Sequence, residues 1–141
     1  HLAARAADAE GVKSLLAAGA HPNATDVFGC TPMHDAAAHG AAHVMSALLG
    51  AGGNPSAADD WGTTPLHCAA RAGAAKVAGV LRSAGASARV ANRLGRTPVE
   101  EAHRGGFHQL ANQLSKSTEP GANAETPAAP RRRVGENSDR R

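Results

Sequence analysis

Gly62-Thr63-Thr64-Pro65-Leu66-His67-Cys68-Ala69-Ala70 is the stretch that decides the fold, because the chain writes it more than once. Gly29-Cys30-Thr31-Pro32-Met33-His34-Asp35-Ala36-Ala37 stands 33 residues before it, and Gly95-Arg96-Thr97-Pro98-Val99-Glu100 stands 33 residues after it. A further step back from His34 reaches His1-Leu2-Ala3-Ala4, so the chain opens partway through a first repeat. A fixed period of this length marks stacked units, none of which buries its apolar face alone.

Each unit has a physical reading. Thr-Pro predicts the start of an inner helix, with Thr as N-cap and Pro at the first helical position, where its missing N–H is no loss. The Ala-Ala pair lets neighbouring helices approach closely. After a Gly- or Ala-containing turn, a second, outer helix carries apolar residues at helical spacing: Val12, Leu15 and Leu16; Val44, Met45, Leu48 and Leu49; Val77, Val80 and Leu81; Leu110 and Leu114. The first three outer helices are expected to stop at Gly19, Gly52 and Gly85. A polar segment of roughly seven residues then reads as an extended finger leading to the next heading.

Composition agrees with this architecture. Of 141 residues, 59 are apolar but 34 of those are alanine, and only 20 are Leu, Val or Phe, with no Ile. So few large side chains cannot fill one thick core, whereas alanine favours close-packed helices over a sheet. No apolar run approaches the roughly 18 residues of a membrane span. Two cysteines 38 residues apart, Cys30 and Cys68, are not a disulfide scaffold, and an intracellular location in cytoplasm or nucleus is expected. Past about residue 116 the period vanishes. Residues 117–141 hold three prolines, an Arg131-Arg132-Arg133 run and no Leu, Ile, Phe or Trp, which reads as a disordered tail.

The Thr-Pro-Leu-His heading at a 33-residue period resembles the ankyrin repeat family. The resemblance covers residues 1–116, with repeats at about 1–28, 29–61, 62–94 and 95–116. It implies an all-α repeat stack, an α-solenoid of about four helix-turn-helix units with β-turn fingers along one edge. It also implies that the motif histidines, His34 and His67, make structural hydrogen bonds between helices and fingers. Repeat 4 departs from the motif with Glu100, and the polar Gln109, Asn112, Gln113 and Lys116 of its outer helix suit a terminal cap.

Nothing in the sequence assembles a catalytic centre, and no enzyme activity or cofactor is expected. His34, Asp35, His39 and His43 can be drawn as a metal site, but a turn separates His39 from His43 and the intervening Glu of a His-Glu-x-x-His pattern is absent. Gly50-Ala51-Gly52-Gly53 follows a helix where a phosphate loop would open one. Asp59-Asp60 and Glu100-Glu101 read as turn and cap residues, and neither cysteine has the surroundings of a nucleophile.

The positions that vary between repeats carry the functional reading. The resemblance implies a concave binding face made of finger tips and inner-helix ends. In the 33-residue register the tips are Val27-Phe28, Asp60-Trp61 and Arg93-Leu94, followed two residues later by Cys30, Thr63 and Arg96. The inner-helix ends supply Arg5, Ala38, His39, Arg71, Ala72 and Arg104. Two of three aromatic residues, Phe28 and Trp61, thus share one position in adjacent fingers, and exposed Trp and Arg are what interface centres are built from. Residues 1–60 carry two positive and six negative charges, while residues 71–104 carry seven positive and two negative. The expected protein is a monomeric, non-catalytic module that binds another protein, an acidic one, on this face.

Leu15-Leu16-Ala17-Ala18-Gly19-Ala20-His21-Pro22-Asn23-Ala24, ending in Phe28-Gly29, is similar to the first repeat of the four-repeat cyclin-dependent kinase inhibitors. That family shortens the inner helix of its second repeat, whereas Pro32-Met33-His34-Asp35-Ala36-Ala37 is a full unit here. The stack could also be the targeting arm of a larger enzyme. Nucleic acid would meet basic residues without a stacking platform, so no specific nucleic-acid binding is expected.

Overall fold

A computed structural model describes residues 9–116. His1-Leu2-Ala3-Ala4, Arg5 and the expected tail at 117–141 lie outside the described residues. The described residues form seven α-helices and no strand: α1 (Ala9–Ala17), α2 (Pro32–Ala38), α3 (Ala42–Gly50), α4 (Pro65–Ala72), α5 (Ala75–Ser83), α6 (Pro98–Arg104) and α7 (His108–Lys116). The inner helices α2, α4 and α6 stack in series, the outer helices α1, α3 and α5 stack behind them, and each inner helix pairs with the outer helix that follows it.

The headings act as the sequence predicts. Thr31, Thr64 and Thr97 are extended N-caps, and Pro32, Pro65 and Pro98 open α2, α4 and α6. The residue three beyond each cap turns back on it: the Thr31 N–H donates to His34 Nδ1 at 3.0 Å, the Thr64 N–H to His67 Nδ1 at 3.2 Å, and the Thr97 N–H to Glu100 Oε1 at 2.9 Å. Because Nδ1 accepts, the ring proton of each histidine sits on Nε2. From there His34 donates to the Thr63 carbonyl at 2.7 Å and His67 to the Arg96 carbonyl at 2.9 Å. Each motif histidine therefore caps its own helix with one nitrogen and holds the next finger with the other. Glu100 performs only the first of these jobs, since a carboxylate has no N–H to donate.

Outer helices stop at the predicted glycines. Gly19, Gly52 and Gly85 adopt φ of 100°, 96° and 100°, and Ala20, Gly53 and Ala86 each return an N–H to the carbonyl five residues back, on Leu15, Leu48 and Leu81. This closing bond satisfies carbonyls that the helix end would otherwise leave open. The core between the layers is thin and alanine-rich: Met33, Met45, Leu66, Leu81 and Val77 are fully buried among Ala36, Ala37, Ala69, Ala70 and Ala102. Leu15 differs from its register mates Leu48, Leu81 and Leu114, which are buried, in standing half exposed.

Two consequences can be measured. Stability in a stack resides where a unit has neighbours on both sides, and Gly79 within α5 costs roughly 1 kcal/mol relative to alanine. Hydrogen exchange is expected to show its strongest protection over residues 31–50 and 64–82. Uniform protection across the described residues would contradict nearest-neighbour stacking. The second consequence concerns acid. Burial holds the His67 imidazole below its ordinary value, outweighing the Arg96 carbonyl that favours its charged form. The unfolded chain then binds a proton at about pH 6.5 that the native ring resists, so this stabilisation is complete above that pH and is lost progressively as pH falls below it. Urea midpoints should drop on acidification through this window and drop less in His67→Gln; identical profiles would remove His67 from the acid response.

Candidate functional site

The finger edge is built by a residue that the heading does not include. Asp26 Oδ1 accepts the N–H groups of Phe28 and Cys30 at 2.9 and 3.0 Å. Asp59 Oδ1 does the same for Trp61 and Thr63, both at 2.9 Å, and Asn92 Oδ1 for Leu94 and Arg96 at 2.9 and 3.1 Å. These residues sit 33 apart and fold each tip by the same side-chain-to-backbone turn. Main-chain bonds then tie the fingers together, with the Asp60 N–H on the Phe28 carbonyl at 3.0 Å and the Arg93 N–H on the Trp61 carbonyl at 2.9 Å. At Gly29, φ of 80° disfavours any side chain, and a Cβ there would also stand 3.2 Å from the Asp60 main-chain nitrogen and 2.7 Å from its Oδ1.

The tips present their side chains outward. Phe28 and Trp61 are 54% and 51% exposed with ring centroids 5.8 Å apart and planes tilted by 41°, a contact between neighbours that leaves half of each ring in solvent. Leu94, at the same register position, is 65% exposed, and Val27 beside Phe28 is 85% exposed. Asp60 and Arg93 are exposed next to these residues, and Arg96 is half-buried with its carbonyl held by His67. Three apolar side chains in one row on fixed backbone are the feature that distinguishes this edge.

The inner-helix ends are more varied. His39 caps α2 in an exposed position, its ring Nδ1 2.8 Å from the Asp35 carbonyl. Arg104 is exposed at the end of α6. Arg71 is exposed too, but its guanidinium is committed: Nη2 lies 3.1 Å from Oε2 of Glu101, which is 3% exposed and also takes Asn92 Nδ2 at 3.4 Å. A buried carboxylate needs such partners. In the third finger the organiser is Asn92, whose amide reaches Glu101 nine residues on, where the first two fingers pair Asp26 with Asp35 and Asp59 with Cys68 at that spacing. An aspartate would set two carboxylates together, whereas the amide donates to one.

The chemistry of the remaining groups is quiet. Burial, with Asp26 and Asp59 nearby, pushes the Cys30 thiol up to about 11, and its Sγ donates to Asp59 Oδ2 at 3.7 Å; burial pushes Cys68 up to about 12. Both are therefore thiols at neutral pH, without nucleophilic character. Among the described residues no group of three or more His, Cys, Asp or Glu gathers as a metal cage, and His34, His39 and His43 are not brought together as ligands. No helix among them is long and apolar enough to cross a membrane. An open groove of about 420 Å³ lies beside Phe107, lined by Gly73, Gly106 and Gln109, with a smaller one of about 260 Å³ where Ala78 and Gly79 face Leu114. Neither gathers convergent charged groups.

Helix pairs stacked in register, with capped headings and a ladder of turn fingers, define a repeat protein of the solenoid class. The chain belongs to the ankyrin repeat family, whose sequence model, described as ankyrin repeats in three copies, matches residues 1–92. The fourth unit, α6 and α7, lies beyond the match and continues the stack. A search of curated proteins returns no match. Ankyrin repeats are generally protein–protein interaction modules and typically non-catalytic.

Proposed function

We propose that this chain is a non-catalytic, monomeric binding module that takes a partner protein on its finger tips and inner-helix ends. The observation that carries this reading is the row Phe28, Trp61 and Leu94, three large apolar side chains held outward at one register position in a chain otherwise short of them. Burying them against a partner gains area that the stack itself leaves in water. Trp61 is the central anchor, with Phe28 and Val27 on one side and Leu94 on the other.

Charge sets the kind of partner. Arg93, Arg96 and Arg104 stand toward the third finger and last inner helix, and they favour an acidic partner by steering its approach. Arg71 contributes less than its exposure suggests, because Glu101 already neutralises it. Asp60 and His39 border the face on its other side. An affinity pull-down with the intact chain and with Trp61→Ala, compared by mass spectrometry, tests the proposal. A partner retained equally by both proteins places the interface elsewhere.

A further inference from the structure

The turn between α6 and α7 holds two histidines that neither the repeat nor the proposed binding face uses. His103, in the last turn of α6, and His108, the first residue of α7, bring their Nδ1 atoms to 3.1 Å, with ring centroids 5.3 Å apart and planes tilted by 42°. Both are exposed. In the register they replace alanines: His103 stands where Ala37 and Ala70 are buried, and His108 where Ala42 and Ala75 begin the preceding outer helices. Motif reading passes over the pair, because a five-residue spacing across Gly105-Gly106 belongs to no helical metal signature.

The backbone under the two rings is fixed. Gly105 returns its N–H to the Glu101 carbonyl, Gly106 to His103, Phe107 to Ala102 at 2.8 Å, and Ala111 to Phe107. The Phe107 ring lies in the notch left by Gly73 and Gly105, so close that a Cβ at Gly73 would sit 2.5 Å from it. The two helix ends that carry the imidazoles are thus fixed relative to one another, and the rings meet in a single hydrogen bond.

We propose that His103 and His108 form a two-point chelate for a divalent transition ion of the imidazole-preferring class, such as zinc, nickel or copper. With metal–nitrogen bonds of about 2.05 Å, a 3.1 Å separation subtends about 98° at the ion, between the octahedral and tetrahedral angles, so the spacing suits chelation once each exposed ring turns its Nδ1 lone pair from the other ring onto the ion. Coordination at Nδ1 requires the ring proton on Nε2. In the metal-free pair one Nδ1 carries the proton shared between the rings; on binding, that ring takes its proton at Nε2 through solvent, and neutral imidazoles bind with no net proton release. Water completes the coordination, which makes the site open and exchangeable, unlike a closed structural zinc site.

The test follows the imidazole nitrogens of the full chain by NMR during titration with zinc(II), using the other histidines as internal controls. The Nδ1 signals of His103 and His108 are expected to shift together on one saturating isotherm. His34 and His67, whose Nδ1 atoms accept N–H bonds, should stay in place. Losing an outer-shell partner alone weakens metal sites by about tenfold or more, so His103→Ala and His108→Gln should each weaken zinc binding at the remaining ring by at least that factor, with circular dichroism unchanged. Zinc that leaves both rings unmoved, or that binds either variant as tightly as the parent, would overturn the assignment.

Discussion

Leu66→Ala is expected to destabilise the array by about 3 kcal/mol, within the range of roughly 2–5 kcal/mol seen when a buried leucine is truncated. Leu66 is fully buried on α4, the inner helix that packs against α2 on one side and α6 on the other. The core cluster it belongs to is rich in alanines, which have no side-chain rotamers with which to collapse into the space. The cavity term should therefore add to the lost transfer free energy. Position matters as well as burial, because the central unit supplies an interface to each neighbour and its loss uncouples the array from both directions. Urea unfolding followed by circular dichroism measures the effect. Leu94→Ala is the matched control: its side chain is 65% exposed, so the same truncation should change stability by about 0.5 kcal/mol or less. A small effect at Leu66 equal to that at Leu94 would mean that the heading does not carry the core.

The stack was legible in the sequence because its determinants are local and repeat as identical letters. Thr-Pro at a cap, paired alanines and a glycine in the left-handed region each have a mechanism confined to one helix end, and the period multiplies every such signal. Finger construction was less legible, since its organiser reads Asp26, Asp59 and Asn92, conserved in chemistry while changed in identity. Glu101 was harder still. Its register mates are Leu2, Asp35 and Cys68, so no repeating letter announces a buried carboxylate that holds Arg71 and Asn92 together. The exposed residues of the proposed face follow from the register, but how much of Arg71 remains for a partner depends on a residue 30 positions away. Pairwise tertiary contacts of this kind leave no periodic trace.

Trp61→Ala is expected to leave the fold intact and to weaken partner binding by about 2 kcal/mol or more, roughly 30-fold in Kd. The separation of the two effects rests on what holds the second finger. Its backbone is fixed by Asp59 Oδ1 on the Trp61 N–H and by the Arg93 N–H on the Trp61 carbonyl, and neither bond involves the indole. The ring's aromatic neighbour is Phe28, 5.8 Å away, and aromatic pairs contribute about 0.5–1.5 kcal/mol beyond their area burial. Truncation should therefore cost the stack little. A partner that covers the half-exposed indole would lose a large, rigid contact whose ordering entropy is low, which is why tryptophan dominates so many interface centres. Raising ionic strength should act differently, slowing association through screening of Arg93, Arg96 and Arg104 while changing dissociation less. Calorimetry with the captured partner, beside thermal unfolding of the same variant, reads both quantities. Unfolding of the Trp61→Ala protein would assign the indole to the stack; unchanged affinity in a folded variant would move the interface off the finger tips.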